Sequence, residues 1–151
     1  MRATKFEERR GARQAALQIL YQWEAGGAPI DDTLAAYWAA REQDDADGEA
    51  APTDREYAAQ LARGTVERVS ELDIAIEAQA EHWRLARMAV IDRLILRLAA
   101  YELTLAGGAP AAVVINEAAE LARRFSEEAA IRFVNGILDG LARSQNRSTH
   151  D

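Results

Sequence analysis

Apolar residues recur at helical spacing almost from end to end of this chain. Ala12, Ala15, Ala16, Ile19, Leu20 and Trp23 fall at i, i+3, i+4, i+7, i+8 and i+11, which predicts one helix from about Glu8 to Glu24. Gly26-Gly27 stops it. A second helix opens near Asp31-Asp32, whose carboxylates suit a helix N-terminus, and buries Leu34, Tyr37 and Trp38. Thr53-Asp54-Arg55-Glu56 reads as a capping box for a third helix carrying Tyr57, Leu61, Thr65 and Val69. Ser70 and Asp73 read as the next cap, with Leu72, Ala75, Ile76 and Gln79 on the inner side of helix four.

After a short connection at His82-Trp83, the span Met88 to Ala106 is apolar on nearly every face. Met88, Ile91, Leu94, Ile95, Leu98, Tyr101 and Leu105 form its stripe, while Leu96, Ala99 and Leu103 fill other sides. Such a helix is central, covered by several neighbours. Gly107-Gly108 closes it, and Pro110 precedes a sixth helix displaying Val114, Ile115, Ala118, Leu121, Ala122 and Phe125, with Glu120 and Arg124 as an i,i+4 pair. Ser126 is placed to cap a seventh, whose inner face is Ala130, Val134, Ile137, Leu138 and Leu141. No segment alternates with period two. The fold class expected is all-α, with about seven helices and a frayed polar tail over the last eight residues.

Composition narrows the picture. With 151 residues the chain fits one domain with a real core, and its 49 % apolar and 28 % charged residues mark a folded protein. No run reaches a membrane span, and the first residues lack a signal-peptide apolar region, so a cytoplasmic location and no membrane partner are expected. Cys is absent and His occurs only at positions 82 and 150, which removes thiolate nucleophiles and the usual metal-ligand sets. There is no Gly-rich phosphate loop and no plausible Ser-His-Asp set. No enzyme, cofactor or metal is expected.

Charge is unevenly placed. Through Arg13 the chain carries Arg2, Lys5, Arg9, Arg10 and Arg13 against Glu7 and Glu8, a formal +3, leaving −10 for the rest of a chain whose net charge is −7. A positive head on a negative body is the footprint of a localised polyanion site. At 100° per residue, Arg10, Gln14, Leu17 and Tyr21 share one stripe, and Arg9 and Arg13 border the apolar face. Guanidinium forks suit phosphate and an aromatic ring suits an unpaired base, which makes an RNA surface. The alternative is a solvated face on which Leu17 and Tyr21 pack against a neighbour. Gly11, if helical, costs about 1 kcal/mol relative to Ala, so the basic segment is expected to stay frayed until RNA orders it.

Other features favour structural readings. Trp83 more often plugs a core edge than stacks a base, and His82 has neither a second ligand nor a nucleophile beside it. Gly136 and Gly140 sit four apart, a spacing that lets another helix approach, and Asn116 and Asn135 are placed to satisfy backbone groups where helices meet. Asp92, Arg93 and Arg97 form a polar strip on the central helix: Arg93 and Arg97 either carry solvated heads or pair with acids of another helix, or the strip faces a partner. Glu42 to Glu56, with seven carboxylates and one Arg, reads as an exposed acidic loop, solvated rather than an RNA mimic.

Taken in order, these blocks have a known counterpart. Arg9-Arg10-Gly11-Ala12-Arg13, Ala16-Leu17-Gln18 and Leu20-Tyr21-Gln22-Trp23-Glu24 are followed by Gly64-Thr65, Glu71-Leu72-Asp73 and Ile91-Asp92-Arg93-Leu94-Ile95-Leu96-Arg97. Then come Tyr101-Glu102-Leu103, Ile115-Asn116-Glu117-Ala118, Glu120-Leu121-Ala122 and Phe133-Val134-Asn135-Gly136-Ile137-Leu138-Asp139. The chain resembles the NusB transcription antitermination family over roughly residues 9 to 143.

The resemblance implies one all-helical domain of two small packed bundles, an N-terminal half over 1–69 and a C-terminal half over 70–143, with a flexible tail at 144–151. It implies an adaptor that binds single-stranded boxA RNA of nascent ribosomal RNA transcripts together with NusE, a small-subunit ribosomal protein, in the RNA polymerase antitermination complex. Carried over by position, Arg9, Arg10, Arg13 and Tyr21 match the RNA-contacting helix, Arg132 and Phe133 match further RNA contacts, and Asp92 matches an acidic position associated with NusE. Two alternatives stand beside it: an RNA-targeting domain related to ribosomal RNA methyltransferases, and a homodimer that uses helix one as its interface.

Overall fold

The computed structural model describes residues 2–45, 51–80, 85–105 and 107–150, the side chains of 44, 45 and 147–150 excepted. Among the described residues every regular element is helical: α1 (Lys5–Gly26), α2 (Ile30–Asp45), α3 (Arg55–Glu67), α4 (Val69–Gln79), α5 (Val90–Thr104), α6 (Ala111–Phe125) and α7 (Glu128–His150), plus one 3-10 turn at Leu85–Arg87. They form two compact units, Met1–Val66 and Glu67–Asp151. The all-α expectation holds. His82-Trp83 lies outside the described residues.

In the first unit, α1 begins earlier than its apolar stripe indicates. The Thr4 hydroxyl accepts from the Glu7 backbone N–H at 3.1 Å, and Glu7 and Glu8 sit at the positive end of the helix dipole. The basic segment is therefore helical, not frayed. Gly11 is buried there because the 52–54 segment runs across it: the Asp54 N–H donates to the Glu8 carbonyl at 3.0 Å, and a Cβ on Gly11 would stand 2.0 Å from the Pro52 oxygen. At the far end Gly27 adopts φ 73° and closes the helix through its N–H to the Trp23 carbonyl. Ala12, Ala15, Ala16, Ile19 and Leu20 are buried as expected.

α2 packs on α1 and buries Leu34, but Tyr37 and Trp38 are only half-buried. α2 also continues to Asp45, so the expected acidic loop loses its first residues to a helix. The cap of α3 is Asp54, whose carboxylate accepts from the Tyr57 N–H at 3.0 Å, and not Thr53. Thr53 is taken by Arg41, which donates to its Oγ1 at 2.6 Å and to the Ala51 carbonyl at 2.9 Å.

In the second unit α5 is the hub. Residues 94–102 are buried without interruption, and α4, α6 and α7 all pack against it. It starts at Val90 rather than Met88, because the chain makes a 3-10 turn and then an extended Ala89 before entering the helix. The expected inner face of α7 is buried in full: Ala130, Val134, Ile137, Leu138 and Leu141. Several local readings are corrected. Arg68, without a side-chain cap bond, stands at the α4 cap in place of Ser70, which lies inside the helix, and the Asp73 carboxylate is held by Arg97. Glu120 pairs with Arg123 at i,i+3, while Arg124 lies over the Phe125 ring. Ser126 ends α6 and sends its hydroxyl to Asp92. Asn116 and Asn135 are exposed, so neither serves a buried helix junction. Gly140 does meet a neighbour closely, the Gln79 side chain, whereas a Cβ on Gly136 would meet open space. The helix runs on through His150, carrying the polar tail as further turns of an already nucleated helix.

Candidate nucleic-acid interface

The first unit presents its basic residues from α1, where one turn fixes their directions. Arg9 is half-buried with its guanidinium 3.9 Å from the Tyr57 ring centroid, a close cation–π stack. Its Nε is buried without a hydrogen-bond partner, so the stack, not a hydrogen bond, holds that end of the fork. Arg10 is exposed, and its guanidinium lies 5.2 Å from the Phe6 ring centroid. Arg13 is different. It is 3 % exposed and engaged within the chain, so its charge is part of the packed interior.

The proposed stripe along α1 is likewise revised. Tyr21 is 51 % exposed and Gln14 half-buried, but Leu17 is 1 % exposed and belongs to the core. Gln18 takes the place of Leu17 on the solvent side, where its amide oxygen accepts from the Tyr37 hydroxyl at 2.8 Å. The solvent-facing set is thus Arg10, Gln14, Gln18 and Tyr21, with Arg9 at its edge.

The second unit holds the other sequence-predicted residues. A cleft of about 680 Å³ is lined by Arg87, Met88, Ile91, Asp92, Phe125 and Phe133, among others. It brings together Asp92 and Phe133, which the sequence placed 41 residues apart. Asp92 is buried and accepts the Ser126 hydroxyl, which fixes the carboxylate at the cleft wall. Phe133 is half-buried, and Arg132 is exposed on α7 beside it in sequence. Of the polar strip on α5, Arg97 turns inward to a two-pronged pair with Asp73, Nε and Nη2 donating at 2.7 and 2.8 Å. Arg97 therefore organises the α4–α5 contact and does not face a partner.

Sequence reasoning missed three participants. Tyr57 as the platform under Arg9 and Ser126 as the donor to Asp92 are tertiary pairings with no local signal. Phe6 was visible in principle, four residues before Arg10, but was lost when the helix was started at Glu8.

Fold and surfaces together define the class: a small all-α protein that presents an arginine-bearing helix end on one unit and an aromatic cleft with a fixed carboxylate on the other. The chain belongs to the NusB family, whose model matches residues 10–143. It is 49 % identical over 135 residues to the transcription antitermination protein NusB of Solibacter usitatus, covering 89 % of this chain and 88 % of that one. It is 40 % identical to the NusB protein of Sorangium cellulosum over 92 % of this chain and 94 % of the relative. Among solved structures it is similar to T. maritima NusB, with TM-score 0.77, 33 % identity and 95 % and 93 % of the two chains covered. A structure of the antitermination factors NusB and NusE in complex with dsRNA matches with TM-score 0.74 and 26 % identity, over 91 % and 97 %.

Proposed function

We propose that this chain is a non-enzymatic, cytoplasmic antitermination factor. It binds single-stranded boxA RNA of nascent ribosomal RNA transcripts together with NusE and helps RNA polymerase resist termination. The observation that carries the reading is the exposed row Arg10, Gln14, Gln18 and Tyr21 on a helix of a NusB-family chain. Arg10 offers a bidentate phosphate contact, Arg9 a second cation held in place by Tyr57, and Tyr21 a ring for an unpaired base. Arg13 acts from inside, positioning the helix rather than touching RNA. Arg132 and Phe133 add a cation and an aromatic from the second unit, and Asp92 meets a donor group of NusE inside the cleft.

The charge balance favours the paired form. Few cations face solvent on α1, so the phosphate contribution of the chain alone is modest, and a basic partner drawn to a chain of net charge −7 adds further phosphate contacts. That the relatives matched over nearly their whole length are antitermination proteins supports this reading above a methyltransferase-associated domain.

Titration of boxA-type RNA and a scrambled RNA, each with and without NusE, tests it. The expected result is preference for boxA that strengthens when NusE is added. Equal affinity for both RNAs in both conditions overturns it. Charge reversal of Arg10 separates RNA binding from a helix-one homodimer: loss of RNA binding supports the former, and dissociation of a dimer with RNA binding retained supports the latter.

A further inference from the structure

Phe6 is 50 % exposed in the first turn of α1, an aromatic ring that the core does not use. Its neighbours are not those of a stray surface residue. At 100° per residue Arg9 and Arg10 flank it at about 60° on one side and about 40° on the other, while Glu8 points about 160° away. The Arg10 guanidinium lies 5.2 Å from the ring centroid. We infer that Phe6 is a base-stacking residue of this protein, taking an unpaired RNA base on its open face while Arg10 beside it holds the adjoining phosphate. The inference rests on the RNA-binding reading above and extends its surface by a turn toward the N-terminus.

The chemistry favours a base over a bare phosphate at this spot. Glu7 and Glu8 occupy the same turn and repel an anion placed at the helix end, but a neutral aromatic base meets no such penalty. Stacking on an exposed ring is tolerant of base identity, because every base has a π-face. Arg10 then serves twice, lying by the ring of Phe6 and placing its positive charge near the backbone of the same nucleotide. With Tyr21 fifteen residues on, about 22 Å along the helix, α1 would carry an aromatic at each end of its exposed row.

The test uses the full chain, boxA-type RNA and NusE, comparing Phe6→Ala, Phe6→Leu, Phe6→Trp and Arg10→Ala over a range of salt. Phe6→Ala is expected to weaken binding about 5- to 100-fold with the slope against salt unchanged, because stacking releases no counterions. Phe6→Leu should be as weak, since it keeps apolar bulk but no π-face. Phe6→Trp should bind at least as well as the parent, with indole emission quenched on RNA addition. Arg10→Ala should flatten the slope by about 0.7. Parent-like binding by Phe6→Ala or Phe6→Leu, with Arg10→Ala impaired, overturns the inference and leaves the RNA reading intact. Failure of the parent chain to bind the RNA overturns both.

Discussion

Replacing Gly11 by Ala sets two effects against each other, and the structure decides the sign. Helix propensity alone predicts a gain of about 1 kcal/mol for Ala at a helical glycine. Against this, the new Cβ would lie 2.0 Å from the Pro52 carbonyl oxygen and 2.9 Å from Thr53 Oγ1. Ordinary carbon–oxygen contacts begin near about 3.3 Å, so the 52–54 segment would have to retreat by more than about 1 Å. It is not free to do so. Asp54 N–H is bonded to the Glu8 carbonyl, the Asp54 carboxylate caps α3, and Thr53 is held by Arg41. Overpacking costs about 1–3 kcal/mol and a lost hydrogen bond about 1 kcal/mol more. The net expectation is a loss of about 2 kcal/mol, or about 4–8 °C in Tm for a chain of this size. Urea unfolding followed by circular dichroism measures it, with the parent and Gly11→Ala compared at equal m-value. A variant as stable as the parent, or more so, would show that propensity outweighs packing here and refute the close approach of the two segments.

Gly136 makes the opposite case, since a Cβ there meets nothing and the residue sits inside α7; Gly136→Ala should stabilise by about 1 kcal/mol in the same assay. Asp73→Ala strips Arg97 of its two-pronged partner in a pair whose side chains are 11 % and 27 % exposed, and should destabilise by about 2 kcal/mol. A double-mutant cycle with Arg97→Ala that returned no coupling would contradict that pairing. Tyr21→Ala should lower affinity for boxA-type RNA about 5- to 100-fold while Tyr21→Phe stays near the parent, because the ring is the contact and its exposure spares the core. Equal losses in both variants would move the contribution from the ring to the hydroxyl.

How far the fold was legible follows from where its information resides. Helix α7 could be read closely because its burial follows the 3.6-residue period, the apolar positions named on it being the buried ones, and the apolar crowding of α5 on nearly every face signals its central place. Caps were less legible, for a competitive reason. Thr53 and Asp54 can each cap α3, and the choice falls to Arg41, twelve residues away in sequence, which occupies the Thr53 hydroxyl. Ser126 likewise reads as a cap until its hydroxyl is seen to donate to the Asp92 carboxylate. Within the site, periodicity places Arg10, Leu17 and Tyr21 on one side of α1, but it carries no information on what covers the middle of that side. Leu17 and Arg13 are buried while Arg10 and Tyr21 are exposed, a difference only tertiary packing makes.

Net charge alone disfavours an RNA contact on this chain, yet the charge local to the start of α1 differs from that sum. Arg10 and Glu24, the next carboxylate on the helix, are separated by fourteen residues, about 21 Å. At physiological salt the Debye length is about 8 Å, so Glu24 is more than two screening lengths from Arg10 along this axis, whereas Asp54, whose N–H bonds to the Glu8 carbonyl, stands beside the arginine cluster. Glu24 therefore scarcely reduces the local attraction for a phosphate, and the nearer Asp54 carboxylate is engaged at the α3 cap. Glu7 and Glu8 lie close, and although they face the positive end of the helix dipole they offset part of the pull of the arginines on a phosphate. A phosphate near Arg9 and Arg10 therefore meets a local balance of charges, in which residues through Arg13 carry a formal +3, rather than the sum over the chain. The net negative charge discourages sequence-blind coating of long nucleic acid and favours a basic protein partner. The sum of −7 conceals a separation along the sequence, a formal +3 through Arg13 and −10 over the remaining residues.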